Sequence, residues 1–135
     1  MRYLGIDYGD KRIGIALSDD QGILAFPYTT VENDKKAIND IKKICSEQEV
    51  EIIVLGLPIS FGMKETEQAQ KVRIFAKKIG KEIGLPIELE NEILTSKMAR
   101  PSKKHGGRAD RGESQKIDES SAALILQSWM DKNKQ

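Results

Sequence analysis

The segment Glu51–Pro58, which reads EIIVLGLP, constrains the fold of this chain more than any other. A continuous apolar run of this length is typical of a strand covered on both faces, as in parallel sheets between layers of helices. The run therefore predicts a central parallel strand in an α/β fold. Connections between parallel strands are right-handed crossovers, so helices are expected to cover the sheet on both faces.

The rest of the chain predicts three strands and then an alternation of helices and strands. Residues Tyr3–Ile6 and Arg12–Ser18 form two strands joined by a tight turn, and residues 23–31 form a third, in which Pro27 predicts an edge position or an irregularity. The further elements are a helix over 33–48 capped by Asn33 or Asp34, a helix over 68–83, a strand over 86–94 and a helix over 118–130. The order βββαβαβα predicts a five-stranded mixed sheet in one domain, residues 1–135.

Composition limits the classes of partner. The chain has 22 Lys and Arg against 21 Asp and Glu, so any nucleic-acid site must be a local patch and not a global field. The one cysteine, Cys45, cannot form an intramolecular disulfide and is expected as a small apolar residue of a helix. No apolar run approaches the ~18 residues of a membrane span. A soluble cytoplasmic protein with no membrane partner is therefore expected.

Three carboxylates carry the candidate chemistry. Asp7 ends an apolar strand, where an unpaired ionised carboxylate costs several kcal/mol, and Glu92 lies in the last strand. Asp118 precedes Ala122 and Ile125 by four and seven residues and so starts on the apolar face of the last helix. If the strand ends and this helix converge, the carboxylates repel unless cations lie between them, and Mg²⁺ or Mn²⁺ prefers such oxygen ligands.

Each carboxylate also has a structural alternative. Asp7 could form a turn before Gly9, because a strand-end Asp commonly does so. Glu92 could be a solvated strand residue, since acidic residues alternate along that strand. Asp118 could be a helix N-cap, a position that both capping and the helix dipole favour.

The motifs of the chain add a family resemblance over nearly its whole length. It resembles the YqgF-type pre-16S rRNA nucleases, a family also described as Holliday-junction-resolvase-like, with a ribonuclease H-like fold. The resemblance is carried, in family order, by GIDYGDKRIGIALSD (5–19), IVLGLP (53–58), AQKVRIFA (69–76), NEILTS (91–96) and IDESSAALILQ (117–127). It implies that Asp7, Glu92 and Asp118 are the catalytic acids.

The resemblance implies phosphodiester hydrolysis with two divalent ions, Mg²⁺ or Mn²⁺, held by these three residues, with Asp7 shared between the ions. The implied substrate is the 5′ end of precursor 16S rRNA, free or on ribosomal particles, and a four-way DNA junction is the alternative. Ile93 stands where the family usually has an arginine after the glutamate. This departure favours a third interpretation, a non-catalytic nucleic-acid-binding protein. A likeness of residues 5–19 to the phosphate loop of actin-like ATPases is disfavoured, because 135 residues leave no room for their second domain.

Basic residues are expected to contact the nucleic-acid backbone around this site. Lys11 and Arg12 lie in the turn beside Asp7, although a solvated turn would look the same. Residues 100–116 carry six basic and two acidic side chains, and a phosphate clamp or a solvated loop fits them. The clamp residues would be Lys103, Lys104, Arg108 and Arg111, and the single histidine, His105, is expected at the surface. No long apolar face remains after the core is assigned, which favours a monomer over a dimer.

Overall fold

The structure is a computed structural model that describes residues 1–60, 64–93 and 111–133, with the backbone alone at residues 93 and 111–118. The described strands are β1 (Arg2–Tyr8), β2 (Arg12–Ser18), β3 (Ala25–Glu32), β4 (Val50–Ile59) and β5 (Ile87–Ile93). The described helices are α1 (Ala37–Glu47), α2 (Glu67–Ile83) and α3 (Arg111–Lys132). The order βββαβαβα is therefore confirmed.

The strands form one mixed sheet in the order β3-β2-β1-β4-β5. β1, β2 and β3 pair antiparallel, whereas β4 pairs parallel with both β1 and β5. The apolar run that predicted an interior parallel strand is β4, so this prediction is confirmed. β3 lies at the edge, and its pairing with β2 shifts register where Ala16 meets Pro27. Both expectations for the Pro27 strand are confirmed.

Helices cover both faces, as the apolar run predicted. α1 and α2 pack on one face over Leu4, Ile6 and the alternate residues of β4. α3 packs on the opposite face, where Ala122, Leu126 and Trp129 contact Val54 and Ala16. Each face of the sheet therefore has its own apolar core, and the α3 face carries the candidate site. None of the helices in the described ranges is both long and apolar enough to cross a bilayer.

Two helix starts differ from the prediction. α1 begins at Ala37, because Asn33 donates its side-chain amide to the Gly9 carbonyl at 2.7 Å and Asp34 accepts from the backbone N–H of Lys36 at 2.9 Å. Neither residue caps the helix, so the prediction of a cap at Asn33 or Asp34 is wrong. α3 begins at Arg111 and not at Asp118. Asp118 therefore lies inside the helix, and the alternative that it is an N-cap is wrong.

α2 follows the sequence signals closely. Thr66 accepts the backbone N–H of Ala69 at 3.1 Å, which caps the first turn. Gly84 ends the helix in the left-handed conformation, with φ of 81°. Glycine adopts this conformation without a steric penalty, and the predicted end of this helix at residue 83 is confirmed.

Candidate active site

Asp7 lies on the face of the sheet that α3 covers. Successive strand residues point to opposite faces, so Asp7 shares a face with Gly5 and Tyr3. The ring of Tyr3 meets the ring of Trp129 of α3 edge-on, with centroids 5.2 Å apart. A β-carbon added at Gly5 would lie 2.8 Å from Cβ of Leu126, also in α3. Asp7 is half-buried and takes part in an interaction within the chain.

Glycines lie on both sides of Asp7 in the sheet. Asp7 pairs with Gly14 of β2. On the other side, Ile6 pairs with Leu55 of β4, so the next residue of β4, Gly56, adjoins Asp7. Neither of these neighbours carries a side chain, and the space over Gly56 is filled by the side chains of Ile125 and Glu92, which come within 2.5 and 3.2 Å of a β-carbon built there. The sequence prediction did not include these two glycines in the site. They lie in the motifs at 5–19 and 53–58, but only the strand register places them beside Asp7.

The carboxylate of Glu92 lies over Gly56, on the side of this glycine away from Asp7. Glu92 pairs with Pro58 of β4, two residues beyond Gly56 and toward the carboxyl end of the strand. Its side chain turns back, because a β-carbon added at Gly56 would lie 3.2 Å from Oε1 of Glu92. Neighbouring strands lie about 4.8 Å apart. Gly56 therefore separates Asp7 and Glu92 on one face, and the structure brings together two of the three predicted acids.

The course of α3 directs residue 118 toward the same end of the sheet. Trp129 contacts Tyr3 at the start of β1, whereas the carbonyl of Ala122 lies 2.9 Å from a β-carbon built at Gly5. α3 therefore runs antiparallel to β1. Asp118 precedes Ala122 by one turn, about 6 Å of helix, in the direction of Asp7. The Asp118 side chain lies outside the described residues, so its role as a third ligand stays a prediction.

The basic residues divide into two groups. Lys11 is exposed in the turn after β1, and Arg12 begins β2 with a half-buried side chain that is engaged in an interaction. Both therefore lie beside the carboxyl end of β1, where Asp7 lies, as predicted. Lys103, Lys104, Arg108 and His105 lie outside the described residues, and of Arg111 only the backbone at the first residue of α3 is described.

A buried carboxylate close to the site was missed by the sequence prediction. Acidic residues alternate along β5, a pattern typical of a solvated face, but Glu90 is only 5% exposed. Its Oε2 accepts from Ser128 Oγ and from Lys132 Nζ, each at 2.7 Å. The i and i+4 spacing of Ser128 and Lys132 in α3 could have indicated a shared partner. Glu90 fastens the C-terminal end of α3 to β5, two residues before Glu92.

The donor set fits a hard divalent cation. Carboxylate oxygens are the ligands that Mg²⁺ and Mn²⁺ prefer, and such ions keep several waters, so few protein ligands suffice. Among the described side chains, no group of three potential metal ligands comes together, and a third carboxylate would have to come from Asp118.

A comparison with protein families identifies the chain. The RuvX family model, described as Holliday junction resolvase, matches residues 1–132. The chain belongs to the RuvX family. The motifs that carried the resemblance are thus part of a full-length match, and the recognition made from them is confirmed.

Relatives of this RuvX-family chain carry the name "Putative pre-16S rRNA nuclease". The one from Maridesulfovibrio salexigens is 36% identical over 96% of this chain and 98% of its own length. The one from Thermosynechococcus vestitus is 39% identical over 98% of this chain and 89% of its own length. Both matches run through β1, β5 and α3.

Solved structures confirm the fold. A Thermus thermophilus RuvC in complex with a Holliday junction superposes with a TM-score of 0.55 at 15% identity, covering 98% of this chain and 95% of its own. The fowlpox virus Holliday junction resolvase also gives a TM-score of 0.55, at 13% identity, covering 98% of this chain and 99% of its own. The ribonuclease H-like fold predicted for this RuvX-family chain is therefore confirmed.

Proposed function

We propose that this protein is a metal-dependent nuclease that hydrolyses a phosphodiester bond at the 5′ end of precursor 16S rRNA. One observation of the structure carries the proposal: the carboxylates of Asp7 and Glu92 flank Gly56 on the α3 face. Two carboxylates held side by side repel each other, and a cation bound between them, with a phosphate as its further ligand, would remove this repulsion. The family match and the names of the relatives support the reaction class and the substrate.

The proposed site assigns a task to each acid. Asp7, Glu92 and Asp118 would hold Mg²⁺ or Mn²⁺, with Asp7 shared between two ions. Such ions lower the pKa of an attacking water and stabilise the charge on the leaving oxygen. Rigid strands hold Asp7 and Glu92 on the two sides of Gly56. Lys11 and Arg12, at the same end of β1, would contact the RNA on one side of the cleaved bond.

A four-way DNA junction is the second candidate substrate, and the description of the RuvX family favours it. Junction resolution needs two symmetric cuts and therefore a dimer, whereas a single cut in precursor rRNA suits the monomer that we propose. The protein would act in the cytoplasm, on rRNA that is either free or part of ribosomal particles. A non-catalytic binding protein is the third candidate, because Ile93 stands where an arginine was expected.

Cleavage of labelled RNA tests the proposal. We expect cutting of a single strand spanning the 5′ flank of precursor 16S rRNA in Mg²⁺ or Mn²⁺, and none in EDTA. Asp7→Asn, Glu92→Gln and Asp118→Asn should each lower kcat by at least about 100-fold, because each removes a charge that would hold the metal. Glu88→Gln is the matched control, since it makes the same change at an exposed position of β5.

Three results would separate the candidates. Cutting of a four-way junction but not of RNA would favour the resolvase. Binding of RNA without cutting in either metal would favour the binding protein. An undiminished rate in Asp7→Asn would contradict the proposed site, whatever the substrate.

A further inference from the structure

The outer face of α2 is strongly basic. α2 contains five basic and two acidic residues, although the whole chain has a net charge of only +1. Successive helix residues lie about 100° apart around the axis, so four lysines share an arc of about 120° opposite the buried residues Val72 and Ile79. We define the α2 lysine face as these four exposed residues: Lys71, Lys77, Lys78 and Lys81.

Most of this charge is not neutralised within the described part of the chain. Arg73, on the flank of the same helix, donates to both carboxylate oxygens of Glu65 at 2.9 and 3.1 Å, and this pairing lowers the pKa of Glu65. Lys71 is paired with Asp10 at 3.2 Å. No ion pair joins Lys77, Lys78 or Lys81 to any described carboxylate. Three neighbouring ammonium groups repel one another, so an external anion is favoured there.

The α2 lysine face adjoins the carboxyl end of β1, which carries Asp7 of the candidate site. The Lys71–Asp10 pair ties the second turn of α2 to the turn between β1 and β2, next to Lys11. Gln68 also donates to the Tyr8 carbonyl, at 3.5 Å. From there the helix runs about 15 Å to Lys81 at 1.5 Å per residue. A polyanion that enters at Asp7 and passes Lys11 would meet this face next.

We infer that the α2 lysine face binds the phosphate backbone of the substrate RNA outside the catalytic acids. The inference rests on the proposed function, since the bound polyanion is the same RNA strand. It extends that function, because it adds a binding surface on the sheet face opposite the acids. Charge complementarity selects the occupant: repeated phosphates match lysines spaced along one helix, and lysine contacts the backbone without reading sequence.

The salt dependence of RNA binding tests the inference. The variant K77Q/K78Q/K81Q removes three charges while keeping side chains that favour helix. In EDTA, fluorescence anisotropy with a 40-nucleotide single-stranded RNA should show affinity lower by on the order of tenfold. The slope of log K against log salt should fall by about 2, from about 0.7 per lost contact. The control K35Q/K42Q/K43Q removes three exposed lysines in or beside α1 and should change neither quantity.

Cleavage kinetics place the contact outside the catalytic site. For the 40-nucleotide RNA, the α2 variant should raise KM by the same factor and leave kcat unchanged. For a short RNA of about six nucleotides spanning the cut, both constants should match wild type. Ile74, 59% exposed within the face, supplies a further variant: Ile74→Ser should leave RNA binding unchanged.

Unaltered affinity and slope in the α2 variant, or equal losses in the α1 control, would overturn the inference. A loss of RNA binding caused by Ile74→Ser but not by the lysine changes would also overturn it, because the contact would then be apolar and not electrostatic. If wild type binds RNA through these lysines but never cuts it, the proposed nuclease fails while the inference stands. If wild type cuts RNA but the variant keeps its KM, only the inference fails.

Discussion

Single residues on the α3 face decide how firmly the acids are held, and Glu90 is the clearest case. It is 5% exposed and accepts from Ser128 and Lys132 at 2.7 Å. Hydrogen bonds to charged groups contribute roughly 1.5–3 kcal/mol, and the side chain of Lys132 is 62% exposed, which weakens its part. We therefore expect Glu90→Gln to lower the free energy of unfolding by about 1–2 kcal/mol in urea denaturation.

Glu88→Gln is the matched control for this change. It lies on the same face of β5 but is exposed, so its effect should stay within about 0.5 kcal/mol. Equal effects of the two substitutions would show that the contacts of Glu90 with α3 contribute nothing. Sequence alternation alone could not distinguish these two residues, because burial of Glu90 depends on where α3 ends on the sheet.

At the scale of elements, the distance between α3 and the sheet depends on Gly5. A β-carbon there would lie 2.8 Å from Cβ of Leu126 and 2.9 Å from the Ala122 carbonyl, and the helix backbone cannot move aside locally. We expect Gly5→Ala to shift α3 outward and cost about 1–3 kcal/mol. The same shift moves residue 118 away from Asp7, so kcat should fall as well. Gly80→Ala in α2 is the control, since a β-carbon there would meet no backbone atom of another element and only Cγ1 of Ile87, at 3.3 Å. Retained kcat in a destabilised Gly5→Ala would contradict the role of α3 in positioning the site.

The sequence predicted elements whose determinants are local. The end of α2 at residue 83 and the cover of β4 on both faces are both confirmed. The predicted start of α1 was wrong because the side chain of Asn33 binds outside the helix, at the Gly9 carbonyl. The acids Asp7 and Glu92 could be named from motifs. The glycines between and beside them could not be recognised as part of the site, because strand register is a property of the assembled sheet.

At the scale of the whole molecule, Cys45 reports whether the chain opens as one unit. Its thiol is 4% exposed in the core beneath α1, and burial raises its pKa from 9.0 to about 11. The native thiol should therefore react with an alkylating reagent only through opening. If residues 1–135 are a single cooperative domain, as predicted, the logarithm of the labelling rate should rise with urea with the slope of global unfolding. A much shallower slope would show that α1 opens alone and would contradict one cooperative unit.

The same thiol gives this prediction a pH dependence. The folded state keeps the proton up to about pH 11, whereas the unfolded thiol loses it near pH 9. The unfolded state therefore binds fewer protons between these values, and the free energy of unfolding must fall as pH rises through this window. Well below pH 9 the thiol should not change how the free energy of unfolding depends on pH. Cys45→Ala removes the group, so its urea midpoint should fall less than that of wild type between pH 8.5 and 10.5. Parallel pH profiles for the two proteins would mean that the thiol ionises equally in both states, and that the core beneath α1 admits water.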